Sequence, residues 1–219
     1  MTCLLIALTG EIASAAEIGK SVQLPVPKNE GTVSVEQALH ARRSIRAYTA
    51  DPITLEELSQ LLWAAQGITD ARGRRTTPSA GALYALEVYV IAGNVTGLDV
   101  GLYRYVPKDN TLVLLKKEDL RQELGDTSTY NQAFVTEVPV DLIISGIFER
   151  ISVKYGERGI QYTYMEAGHA SQNVYLQAVA LGLGTVSMGA FVDDDVKELV
   201  GMAANEQPLY VMPLGHKKE

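Results

Sequence analysis

The sequence contains a single cysteine, Cys3, and three histidines, His40, His169 and His216. One cysteine excludes an internal disulfide framework and a cysteine metal cluster, and three scattered histidines leave little material for a histidine metal site. Basic charge is also scarce: 19 Lys and Arg against 26 Asp and Glu give a formal net charge of −7. Nucleic-acid binders are usually basic, so a nucleic-acid partner is not expected. No window of about 18 uninterrupted apolar residues exists, so no membrane span is expected. The chain has no G-x-x-x-x-G-K-[ST] run, which removes the nucleoside-triphosphate loop. What remains is an ordinary globular balance of 47% hydrophobic and 21% charged residues over 219 positions. That suits one domain with its own core.

Two segments precede that domain's first helix. Residues 2–8 are apolar and Ala13-Ser14-Ala15 has the form of a signal-peptidase site, yet no Lys or Arg precedes Lys20 and Glu11 interrupts the apolar stretch. A secretory signal needs a basic start and an unbroken apolar region. Two readings stay open for residues 1–16: a short N-terminal helix or frayed end of a cytoplasmic protein, or an export signal lacking its true start. Residues 21–32, with two prolines and a glycine, read as an extended arm. The expected division is an N-terminal segment and arm over 1–32 and one domain over 33–219.

Within 33–219, helix and strand signals alternate irregularly. Ser34 with Gln37, and Thr54 with Glu57, have the spacing of capping boxes that open helices running to about Arg42 and Gly67. Residues 86–92 alternate as a strand, 102–106 and 111–115 form a hairpin, and 140–147 are apolar enough for a central strand. A long helix is expected over 161–182, a short acidic-start helix over 193–199, and a last strand over 210–214. Mixed elements with an antiparallel hairpin point to an α+β domain.

Four segments carry possible chemistry. Arg42, Arg43, Ser44 and Arg46 stand at a helix end, in a stretch from Gln37 to Ala50 that has no acid to pair with them. Arginine forks and a serine hydroxyl suit a phosphate, although a solvated basic turn would have the same composition. Pro78, Ser79, Ala80, Gly81 and Ala82 form a small-residue turn at a strand entry, where backbone can approach a flat ligand. Glu166 and His169 have the spacing of half a carboxylate di-metal site, but no second such pair exists, so no metal is expected and His169 reads as a hydrogen-bonded structural histidine. The run from Gly182 to Phe191 imitates a dinucleotide fingerprint, but position 187 is Ser and the run follows a helix, so the Rossmann reading fails.

Taken in order, these segments resemble the nitroreductase family of flavoproteins, and within it the SagB-type dehydrogenase branch. The resemblance rests on RRSIRAY (42–48), LEELSQLLWAAQGI (55–68), PSAGALYALEVYV (78–90), GLYRY (101–105), KYGERG (154–159), EAGHASQNVYLQAVALGLG (166–184), MGAF (188–191) and MPLG (212–215). It implies a nitroreductase-like fold with a central, mainly antiparallel sheet flanked by helices, in an intertwined homodimer holding FMN at its interface. Arg42 and Ser44 would hold phosphate and ribityl oxygens, and Arg46 would sit near the pyrimidine edge of the ring. Pro78, Ser79, Ala80, Gly81 and Ala82 would reach the flavin of the other subunit. Ser187, Met188, Gly189 and Ala190 would cover its far edge, with a backbone N–H at Gly189 meeting N5. Two departures stand out. Ala85 occupies a position where the branch carries proline, and His216-Lys217 replaces an arginine expected as the last phosphate contact.

The implied activity is FMN-dependent hydride transfer from NAD(P)H to a small-molecule acceptor, a quinone or nitro compound, in a ping-pong cycle. Lys154 and Tyr155 match a Lys-Tyr pair implicated in catalysis by the azoline-oxidising members. Dehydrogenation of a ring in a modified peptide is therefore the alternative enzyme reading, and a non-catalytic FMN-binding protein is the alternative from another class. A surface lysine beside a packing tyrosine is the plain structural reading of the pair. The acceptor, and the choice between NADH and NADPH, are not specified by any motif.

Overall fold

The computed structural model describes residues 18–130 and 132–218. Cys3 and the signal-like stretch over 1–16 lie outside the described residues. The described chain opens with strand β1 (Ser21–Gln23), helix α1 (Val35–Ala41), strand β2 (Ile53–Thr54) and helix α2 (Leu55–Gln66). Strands β3 (Leu86–Ala92), β4 (Val95–Thr96), β5 (Gly101–Val106) and β6 (Thr111–Lys116) follow, then helices α3 (Arg121–Asp126) and α4 (Phe134–Glu137). Strand β7 (Val140–Ile147), helices α5 (Glu149–Tyr155) and α6 (Arg158–Ala180), strand β8 (Leu183–Thr185), helix α7 (Asp193–Val200) and strand β9 (Glu206–His216) complete it.

Seven strands form one sheet in the order β1-β6-β5-β3-β7-β9-β8, and every pairing in it is antiparallel. Alternation along β3 sets the layers. Leu86, Val88, Val90 and Ala92 face Leu58, Leu61 and Leu62 of α2 and Ala167, Ala170 and Val174 of α6. Tyr89 and Ile91 face the opposite layer, built by Leu124 of α3, Val135 of α4, and Val196 and Val200 of α7. Each fully buried Leu or Val contributes roughly 1.5–3 kcal/mol, so the sheet is held from both sides. The α+β fold with a mainly antiparallel sheet flanked by helices is the one expected.

Local chemistry explains where the elements begin and end. Ser34 and Thr54 each accept the N–H of the residue three on, and Gln37 and Glu57 return the bond, so both capping boxes are complete. Gly67 ends α2 as expected but not in the left-handed form: it is extended, and glycine is required because a Cβ there would meet the Trp63 ring at 2.1 Å. The arm is extended and stitched to the domain, with β1 on the sheet edge, Leu24 buried, and Lys28 exchanging backbone bonds with the Gln60 amide. Helix α6 starts at Arg158, three residues before the expected Gln161.

Candidate functional site

Helix α1 stops at Arg42, whose backbone turns extended (φ −56°, ψ 125°). The chain then runs beside β8: Ser44 bridges Thr185, and the Ile45 N–H donates to the Thr185 carbonyl at 2.9 Å. Extended backbone points successive side chains to opposite sides. Ile45 packs over Gly184. Arg42 and Ser44 turn instead toward Tyr175 of α6, with the guanidinium 5.1 Å from the ring centre and Ser44 Oγ 3.2 Å from the hydroxyl. The same hydroxyl accepts the Ser187 N–H at 2.8 Å. Tyr175 therefore ties the first expected cofactor segment to the last.

The two neighbouring arginines behave differently. Arg43 Nη1 donates to the carbonyls of His40 and Arg42 at 2.9 and 2.7 Å, closing the end of α1. With Ile45, Tyr175, Thr185 and Lys217 it lines a cleft of about 170 Å³. Arg46 is exposed, and among the described residues none of Arg42, Arg43 and Arg46 has an ion pair. His216 ends β9 and its carbonyl accepts the Thr49 N–H at 2.9 Å. Lys217 is exposed and pairs with Tyr48.

Past Tyr175, the backbone of Met188 exchanges both hydrogen bonds with Val211. Gly189 is exposed, nothing lies within 4 Å of where its Cβ would sit, and its N–H has no acceptor among the described residues. The Ala190 carbonyl accepts the Thr129 N–H at 3.1 Å, which brings the exposed Tyr130 loop alongside. Buried hydroxyls usually find partners. Here Thr185 Oγ1 and Ser187 Oγ are buried with none among the described residues.

The small-residue turn forms a second cluster. Ser79 Oγ donates to Glu166 Oε2 at 2.5 Å and accepts the Tyr84 N–H at 2.9 Å. Gly81 (φ 64°), Ala82 (φ 54°) and Tyr84 (φ 51°) are all left-handed, a conformation that is easy for glycine and costs the other two about 1–3 kcal/mol each. Arg75 stacks 4.5 Å over the Tyr84 ring and donates its backbone N–H to the Tyr84 hydroxyl, while Arg150 reaches the Tyr84 carbonyl at 3.3 Å. At the tip, a Cβ on Gly81 would lie 3.0 Å from Tyr155 Oη and 3.2 Å from Lys154 Nζ. The structure thus brings the 78–82 turn and the Lys154–Tyr155 pair together within one chain.

Glu166 is buried, and burial raises its pKa, countered by Ser79, the Ala85 and Leu86 amides and Arg75. His169, one turn on, is exposed with no hydrogen bond among the described residues, so it is not the hydrogen-bonded structural histidine expected. Among the described residues no group of three or more metal-ligating side chains occurs. Glu166 and Tyr175, nine residues apart, stand about 13 Å apart along α6. Sequence reasoning weighed Glu166 only as a metal ligand and did not single out Tyr175. The signal available for both was a polar residue on the core-facing stripe of a long helix.

The nitroreductase family's sequence profile matches residues 39–216. A Methanocaldococcus jannaschii protein named as a nitroreductase is 44% identical over 202 residues, covering 92% of this chain and all of that protein. A crystal structure of a Ralstonia eutropha protein of the same designation superposes with a TM-score of 0.79 at 30% identity, covering 91% of this chain and 90% of that one. The Escherichia coli microcin B17-processing protein McbC is 27% identical over 133 residues, which are 59% of this chain and 49% of that protein. An FMN reductase (NAD(P)H) of Bacillus subtilis is 24% identical over 192 residues, 82% of this chain and 62% of that protein.

Proposed function

Because the chain belongs to the nitroreductase family, we propose that it is an FMN-dependent oxidoreductase carrying hydride from a reduced nicotinamide to a small quinone or nitro acceptor in a ping-pong cycle. The observation that carries this reading is the Tyr175 hydroxyl, which joins Arg42 and Ser44 to Ser187, with the open Gly189 N–H beyond. The residues present fit the cofactor. Arg42 and Arg46 are cations without a carboxylate partner among the described residues, and the buried hydroxyls of Thr185 and Ser187 have donors and acceptors to spare.

Bound FMN supplies the redox chemistry, taking up and passing on hydride at its N5. The chain's part is to bind, orient and tune. Arg42 and Ser44 would hold phosphate and ribityl oxygens by charge-assisted bonds. Arg46 would supply positive charge to the ring's pyrimidine end as it is reduced. Gly189 would offer its N–H to the ring and, lacking a side chain, would leave room for donor and acceptor in turn. His216 and Lys217 are the last phosphate contacts in this reading. Arg43, occupied at the end of α1, contributes long-range charge.

A homodimer is part of the same reading. The tip at Gly81 and the Tyr175 cluster stand at different levels of α6, and the helix exposes Ile160, Tyr164 and Met165 for a partner to cover. No helix among the described residues is long and apolar enough to cross a membrane, and the reading places the protein in the cytoplasm, where reduced nicotinamides are made. A second reading has its own observation. Lys154 Nζ and Tyr155 Oη converge on Gly81, which supports a peptide-azoline dehydrogenase of the SagB type, the direction in which the McbC similarity also leans.

The test is a visible spectrum of purified protein, chromatography of the heat-released cofactor, and steady-state turnover with NADH or NADPH and a quinone or nitroarene. Bound FMN and turnover are expected. Finding FAD, or a folded protein that binds no flavin, defeats the reading, and FMN without turnover leaves a non-catalytic flavin protein.

A further inference from the structure

We propose that Glu166 is the positioning residue of the 79–84 turn, its buried carboxylate holding the Ser79 hydroxyl, which in turn takes the Tyr84 N–H, and so imposing the left-handed tip that faces the cofactor. The tip's destination rests on the FMN reading above; the clamp itself does not.

The geometry is convergent. Glu166 is 1% exposed. Ser79, at the start of the turn, donates its hydroxyl to Oε2 at 2.5 Å. Oε1 of the same carboxylate is buried with no hydrogen-bond partner among the described residues. Ser79 Oγ also accepts the Tyr84 N–H, so a single side chain on α6 holds the start of the segment directly and, through Ser79, its end. Within this segment lie two non-glycine left-handed residues, Ala82 and Tyr84. Free of the anchors, each would relax toward negative φ.

A buried carboxylate is an expensive filler, because desolvation opposes its charge. An apolar side chain would occupy the same space more cheaply, but would offer no acceptor to Ser79. The charged groups around it are Arg75, which attracts it, with Glu87 and Arg150 behind Arg75.

The consequence is functional because of what the tip touches. Gly81 presents bare backbone to Lys154 Nζ and Tyr155 Oη. A displaced tip would open that contact and withdraw the edge offered to the flavin, leaving the Arg42–Tyr175 end untouched.

The test uses Glu166→Gln and Ser79→Ala in the full chain, each read three ways. Amide hydrogen exchange at Tyr84, whose N–H is held by Ser79, should accelerate by roughly tenfold or more in both variants of cofactor-free protein. FMN affinity, from flavin fluorescence, should fall by roughly tenfold, on the scale of one charge-assisted hydrogen bond. At saturating FMN, the visible circular dichroism of the bound flavin should change, which loss of global stability alone would not cause. Unchanged exchange in Ser79→Ala, the milder variant should Glu166→Gln not fold, overturns the clamp. Faster exchange with unaltered affinity and dichroism overturns its role toward the cofactor. Failure of the wild type to bind FMN defeats the cofactor reading, while exchange still decides whether Glu166 holds the turn.

Discussion

A phenylalanine at position 175 would fill the same space and lose one hydroxyl, the one that accepts the Ser187 N–H and meets Ser44. Tyr175→Phe should therefore keep its fold and bind FMN more weakly by about 1–3 kcal/mol, the cost of an orphaned buried donor; isothermal titration of cofactor-free protein measures it, and unchanged affinity removes Tyr175 from the site. Lys154 separates the two enzyme readings. If hydride passes between soluble partners the proton can come from water, so Lys154→Ala should lower turnover per bound flavin less than about tenfold, whereas a positioned base is worth roughly 10²–10⁴-fold. A hundredfold loss at full flavin occupancy would promote the azoline reading. Asp141 gives a pH signature. It is fully buried on β7 with neither oxygen bonded among the described residues, and burial raises its pKa well above the ordinary carboxylate range, with Arg121 partly opposing. The folded state thus holds this proton more tightly than the unfolded state. The stability it lends is complete below the unfolded value near ~3.9 and is lost as pH rises through the folded one. Asp141→Asn should be more stable than wild type at pH 8, by about 1–3 kcal/mol in urea unfolding, with the gap closing toward pH 4. A constant gap would sink this account. The positions read from the sequence were those whose chemistry is local, such as the unpaired arginines. Glu166 and Tyr175 escaped because their partners lie 87 and 131 residues away.

At the scale of elements, the capping box of α1 is coupled to the site, because the helix it opens ends on Arg42. Ser34→Ala should cost about 1 kcal/mol of stability. It should also weaken FMN binding several-fold if fraying reaches the last turn, and a lowered melting temperature with unchanged FMN affinity would show that Arg42 is held by Tyr175 alone. The same logic explains which elements the sequence disclosed. Helices α1 and α2 carry complete side-chain caps and were legible to within a residue or two. Helices α3, α4 and α5 are preceded by Leu120, Ala133 and Phe148 at their N-caps, none of which makes a side-chain cap, and none of the three is legible in the sequence. The early start of α6 turns on Gly159, which reads as a breaker. It is needed because a Cβ there would come within 2.7 Å of the Ser152 backbone where α5 and α6 pack. Strand β8 is only three residues long, in a glycine-rich run, and depends on β9 for its existence.

At the scale of the whole molecule, the question is which chain completes each site. One cluster gathers Arg42, Ser44 and the Ser187 N–H around Tyr175, with Gly189 two residues further on; the other joins Ser79 to Glu166 and, at the tip of the same turn, Gly81 to Lys154 and Tyr155. Glu166 and Tyr175 stand about 13 Å apart along α6, and a closed two-fold dimer that laid the second cluster of each chain over the first cluster of its partner would complete both sites between chains. Complementation distinguishes that arrangement from a site within one chain. Arg42→Ala damages the first cluster. Gly81→Val damages the second, by placing a branched side chain at φ 64° against Tyr155 Oη and Lys154 Nζ. Alone, each variant should lose most of its FMN binding. When the two are unfolded together and refolded as a mixture, a mixed dimer has one site carrying both lesions and one carrying neither. Random pairing then restores about a quarter of all sites to wild-type affinity. Sites built within single chains would carry one lesion each in every pairing, and mixing would restore none. Recovery of tight FMN binding only on mixing, together with a mass in light scattering of twice 23.7 kDa, is the expected result. No recovery from a mixture in which mixed dimers are demonstrably formed would place the whole site within one chain.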